Sequence, residues 1–72
     1  MPVDVPIRGE MIRLGQLLKL ADLADGGGDV KLILGGGAVF VNGEPENRRG
    51  RQLHAGDVVL VGGTQLRVVA GS

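Results

Sequence analysis

The sequence predicts an α+β fold in which two helices pack on a small, largely antiparallel sheet. Between Leu14 and Leu34, apolar residues recur at spacings of three and four, the period of amphipathic helices. From Ala38 onward the chain changes to short β-branched runs separated by glycine-containing turns. Length sets the scale: 72 residues make a single domain, and a chain this short buries only about 60% of the surface it exposes when unfolded, so its core has to be economical.

Residues 2–7 alternate, with Val3, Val5 and Ile7 on one side, while Pro2 and Pro6 each remove a backbone donor. This predicts a short edge strand or an ordered arm. Leu14, Leu17, Leu18, Ala21 and Ala24 then form the stripe of a first helix over about 14–24. Gly15, Lys19 and Asp22 fall on its far flank, which points Lys19 to solvent, and Leu20 and Leu23 widen the apolar face toward a second helix and a sheet. Gly26-Gly27-Gly28 breaks the pattern. Helical spacing resumes over 29–34, with Val30, Ile33 and Leu34 on one side and Lys31 off it, until Gly35-Gly36-Gly37 ends it.

Strands are expected over 38–41, near Leu53, over 57–61 and over 65–70, with turns at Asn42-Gly43, a dipeptide that type I′ turns favour, and at Gly62-Gly63. The expected shared core is Leu17, Leu18, Ala21, Val30, Ile33, Leu34, Val39, Val41, Val59 and Val68.

Composition excludes several function classes. With no cysteine there is no disulfide, thiol nucleophile or zinc knuckle, which suits a reducing cytoplasm. No apolar run of about 18 residues and no basic-then-apolar leader occur, so neither a membrane span nor a signal peptide is expected. Gly26-Gly27-Gly28 is not followed by the Gly-Lys-Ser/Thr of a P-loop, and Asp29 would repel an anion there. His54, the sole histidine, has no partner ligand for a metal and reads as a solvated loop residue, and the aspartates at 22, 25 and 29 lack the alternating oxygens and final Glu of a calcium loop. No Ser/His/Asp set is available, and the residues point neither to an enzyme nor to a cofactor.

Charge is more informative. The net is zero, but up to Asn47 four basic residues stand against seven acidic ones, whereas from Arg48 onward four basic residues stand against Asp57 alone. Arg48, Arg49 and Arg51 cluster around Gly50 in a loop between β runs, and the planar bidentate fork of arginine suits phosphate. Phe40 is the only aromatic residue, so a base-stacking platform cannot be built, and any nucleic acid would be held by backbone and shape.

The order of these parts resembles a known family. Arg13-Leu14, a helix, a break, a helix carrying Lys31, then Gly36-Gly37-Ala38-Val39-Phe40-Val41-Asn42-Gly43 and later Ala55-Gly56-Asp57-Val58-Val59 resemble the RNA-binding domain of ribosomal protein S-four, the alpha-L motif, over about 13–61. Residues 14–22 together with Asn47-Arg48-Arg49-Gly50-Arg51 are similar to its small stand-alone bacterial members, the YaaA/YbcJ type. The resemblance implies one α+β domain over 1–72 that binds structured RNA, often ribosomal RNA or a ribosomal subunit, without catalysis; a cytoplasmic monomer is expected.

By the same resemblance, Arg13 opens the first helix where the family has Arg, and Lys31 lies where the second often has Arg or Lys. Gly15 replaces the usual Asp, and Asp22, Asp25 and Gly27 stand in stretches that are commonly basic. The basic work is therefore expected to fall on Lys19 and the Arg48, Arg49 and Arg51 loop, giving an RNA surface of Arg13, Lys19, Lys31, Arg48, Arg49 and Arg51.

Two other readings remain open. A protein-binding adaptor in ribosome assembly would use the same fold. A β-grasp sulfur carrier shares V-N-G-E and a G-D-x-V turn, but it requires a C-terminal Gly-Gly where this chain has Ala70-Gly71-Ser72, and a hairpin ahead of its helix.

Overall fold

The structure, a computed structural model, describes residues 2–71. Along the chain come β1 (Val3–Ile7), β2 (Ile12–Arg13), α1 (Leu14–Leu20), α2 (Gly27–Gly35), β3 (Val39–Val41), β4 (Glu44–Pro45), β5 (Gln52–Leu53), β6 (Val58–Val61) and β7 (Thr64–Ala70). Five strands form one sheet in the order β1-β7-β6-β3-β4, and β2 and β5 form a separate antiparallel pair. The expected α+β architecture is present, and the sheet is mixed: β1 runs parallel to β7, while β7–β6, β6–β3 and β3–β4 are antiparallel. Parallel neighbours need a long crossover, and here everything between β1 and β7 supplies it.

β1 is an edge strand, as its prolines predict, and the prolines sit where they blunt that edge. The Gly71 N–H donates to the Ile7 carbonyl at 3.0 Å, so the polar groups of Ile7, and by alternation those of Val5 and Val3, face β7. Asp4 and Pro6 then face outward, and Pro6 has no N–H to offer a further strand. Val5 and Ile7 enter the core, whereas Val3 remains 55% exposed at the open end.

Helix α1 stops at Leu20, four residues before the apolar stripe does. Asp22 adopts a left-handed φ of 63°, its N–H donates to the Lys19 carbonyl, and the Leu23 N–H donates to the Leu18 carbonyl at 3.0 Å, the paired bonds of a Schellman ending. Ala24 still reaches the core, through this turn rather than on a helix, while Leu20 is left exposed and does not widen the buried face. Helix α2 starts earlier than the glycine run suggests, with Gly26 as its N-cap and Gly27 and Gly28 inside it.

At Asn42-Gly43 the two φ angles are +51° and +86°, and Val41 pairs directly with Glu44. Positive φ at both central residues of a two-residue loop is the type I′ arrangement, which favours Asn-Gly. The core gathers Leu14, Leu17 and Leu18 of α1, Val30 and Leu34 of α2, and the inward residues of the large sheet, including Val39, Val41, Val59, Leu66 and Val68. Leu53 joins it from the small sheet. Of the expected core, Ala21 and Ile33 are only partly buried; Leu14, which heads the apolar stripe, Leu53 and Leu66 lie outside the expected core and are almost fully buried.

Candidate functional site

Helix α1 begins with backbone donors that its own turns cannot satisfy. The Arg13 N–H donates to Gln16 Oε1 at 3.2 Å, but an arginine side chain has no acceptor with which to return the bond. The loop that follows β4 supplies the acceptors instead: Leu14 N–H donates to the Arg51 carbonyl and Gly15 N–H to the Arg49 carbonyl, both at 2.9 Å. The arginine loop is thus tied to the start of α1 and is not a free tip.

That contact leaves little room for a side chain at position 15. A Cβ on Gly15 would stand 3.3 Å from Val30 Cγ1 and 3.4 Å from both the Cβ and the carbonyl oxygen of Arg49. Gly15 is consequently buried, although the helical wheel puts it on the solvent flank. Above it lies a shallow concavity of about 290 Å³ lined by Arg13, Gly15, Gln16, Lys19, Val30, Arg49 and Gly50. Arg13, Lys19 and Arg49 form no ion pair among the described residues, and Arg13 Nη1 donates only a long bond, 3.5 Å, to the Gly50 carbonyl.

On the other side of Gly50 the chemistry differs. Glu46 is 8% exposed and accepts five hydrogen bonds: from the N–H groups of Asn47 and Arg48, from Nε and Nη2 of Arg48, and from Nη1 of Arg51, all between 2.9 and 3.1 Å. The Arg48 guanidinium above all, then that of Arg51, then the Arg48 backbone N–H, hold its carboxyl at about 2, against the burial that pushes it up. The same partnership raises the affinity of Arg48 for its proton. Arg48 and Arg51 border a second, wider concavity of about 500 Å³ with Gln52 and His54.

Of the six cations expected on one surface, the fold brings Arg13, Lys19 and Arg49 together and sets Arg48 and Arg51 beside them across Gly50. Lys31 is exposed on α2 and lines neither concavity. Sequence reasoning missed Glu46 and Gly15. The signal for Glu46 was weak, an acidic residue two and five positions before arginines; for Gly15 it was only a glycine within a helical stripe. Arg67, counted in the positive half of the chain, is paired with Asp4 on β1 at 2.8 Å. Among the described residues, no three His, Cys, Asp or Glu side chains gather as a metal site, and no helix is long and apolar enough to cross a membrane.

A family model described as "S4 domain" matches residues 5–69. The chain belongs to the S4 domain family. This S4 RNA-binding domain bears out the resemblance to ribosomal protein S-four. It is also 54% identical over 59 residues, 82% of this chain and 83% of the relative, to "Probable ribosome maturation protein RlbA" of Bacillus subtilis (strain 168). Two of the motif residues that carry the resemblance, Asn42 and Asp57, are structural in the S4 domain. Asn42 Nδ2 donates to Asp57 Oδ1 at 3.2 Å, Asn42 Oδ1 accepts the Val58 N–H at 2.9 Å, and Asp57 Oδ2 accepts the His54 N–H at 2.8 Å. The cations lie elsewhere on its surface: Arg13 at the end of β2, Lys19 on α1, Lys31 on α2 and the three arginines in the loop before β5.

Proposed function

We propose that the protein binds structured RNA, ribosomal RNA or a ribosomal particle, in the cytoplasm, without catalysing a reaction on it. The supporting observation is the convergence of Arg13, Lys19 and Arg49, none of them neutralised by a carboxylate, on a concavity whose rim continues into Arg48 and Arg51. A concave, cationic surface with no exposed aromatic array grips phosphates and the shape of a folded backbone rather than splayed bases. The name of the Bacillus subtilis relative, a probable ribosome maturation protein, directs the choice of RNA. Lys31 belongs to this surface as an outlying contact.

Neutralising about four phosphates implies that affinity falls on the order of 100-fold between 50 and 200 mM salt. Replacing Arg48, Arg49 and Arg51 together by Ala should weaken binding of all structured RNAs similarly and flatten the salt slope while the protein stays folded. A folded triple variant with unchanged affinity and slope for ribosomal RNA and ribosomal particles would exclude this reading. One observation favours protein adaptor work as the second reading: Val3, Leu20, Leu23 and Leu66 line an apolar groove beside β1. In that case the triple variant would still bind particles.

A further inference from the structure

Glu46 is the only charged residue classed as buried among the described residues, and it lies in the loop whose positive charge is the candidate site. Counting charges alone makes it a defect, since it cancels part of what would attract a polyanion. We infer that Glu46 is a positioning residue for RNA, fixing the Arg48 and Arg51 guanidiniums so that their free edges meet backbone phosphates. This rests on the RNA-binding reading above.

The placement of the groups separates positioning from masking. The Glu46 side chain is 6% exposed, against 72% for Arg48 and 33% for Arg51, so the carboxylate lies behind the guanidiniums and leaves their outer sides open. Arg48 uses its Nε and Nη2 edge on Glu46, which leaves Nη1 free, and Arg51 uses only Nη1, which leaves Nε and Nη2. Both residues border the wider concavity beside Gly50.

Magnitudes set the sign. Ordering two long side chains at the moment of binding lowers affinity by about tenfold, a cost that a preset pair avoids. Removing one carboxylate several ångströms from a phosphate in screened water restores only about two- to threefold. Positioning therefore outweighs the lost charge, and Glu46→Gln should weaken binding by about fivefold although it makes the protein more positive.

The test measures affinity for purified ribosomal RNA of both subunits at fixed salt, for Glu46→Gln in the wild-type background and in an Arg48→Ala/Arg51→Ala background. The expected result is the loss in the first background and no loss in the second, because Glu46 acts through those two arginines. Tighter binding by Glu46→Gln in the wild-type background would identify a mask, and an equal loss in both backgrounds would identify a general packing role; either overturns the inference. A second measurement needs no variant: the Arg48 Nε–H, bonded to Glu46 at 3.1 Å, should exchange with solvent more slowly than that of Arg49. Equal exchange overturns the inference as well. The triple arginine variant keeps the two ideas apart. If it binds like wild type, the RNA reading falls, whereas if it loses affinity while Glu46→Gln gains it, only the positioning role falls.

Discussion

Two carboxylates organise two loops in this protein, and they are used in opposite ways. Asp57 takes its bonds from the Asn42 amide, whose own oxygen accepts the Val58 N–H, and from the His54 backbone N–H, so its donors lead back into the backbone of the fold. It latches the turn before β6 to the hairpin turn after β3, and the corner is closed. Glu46 takes three of its bonds from arginine side chains that still carry free donors on their outer faces. The same acceptor chemistry makes a joint in one place and a mount in the other; what differs is whether the donor is tied back to the backbone or sits on a long side chain that reaches solvent.

Breaking the joint should have the largest effect on folding. Asp57→Ala leaves the Asn42 amide and the His54 N–H without their carboxylate, and about 2 kcal/mol of stability is expected to go, the scale of hydrogen bonds to a charged group. Chemical denaturation measures this, and the affinity of the folded variant for RNA should be unchanged. A loss of RNA affinity with intact stability would place Asp57 in the interface and dissolve the contrast.

Gly43→Val strains the same corner from the other side of the turn. A β-branched residue at the φ of +86° found there should cost about 1–2 kcal/mol, again without a change in RNA affinity. An unchanged melting curve would show that the hairpin reorganises freely.

The mount should have the smallest effect on folding, visible as stability that is lost in acid, because the guanidiniums on it face solvent and are screened. The Glu46 carboxyl is depressed from 4.5 to about 2 in the folded protein. Its contribution is therefore complete above about pH 4.5 and is lost as pH falls from there toward 2, as protonation favours the unfolded chain. Stability measured across that window should fall less steeply in Glu46→Gln than in wild type. Parallel curves would mean that the bonds to Arg48 and Arg51 do not persist in solution.

The residues alone determined what depends on neighbours in sequence. Asn42-Gly43 makes a type I′ turn because both residues tolerate positive φ, wherever the chain is placed. The prolines of β1 predict an edge because a missing N–H is a local fact. The apolar spacings located both helices and most of the core, and the arginine cluster was visible as charge. Tertiary structure decided what depends on who arrives from a distance. The stripe through Ala24 did not reveal where α1 ends, since a left-handed Asp22 lets Ala24 pack without helix. Gly15 became buried because Val30 of α2 and the Arg49 carbonyl, far along the chain, close over it. Glu46 became a mount only because the fold set its carboxylate, nearly withdrawn from water, where the Arg48 and Arg51 side chains both reach it, a placement that no residue carries in its own letter.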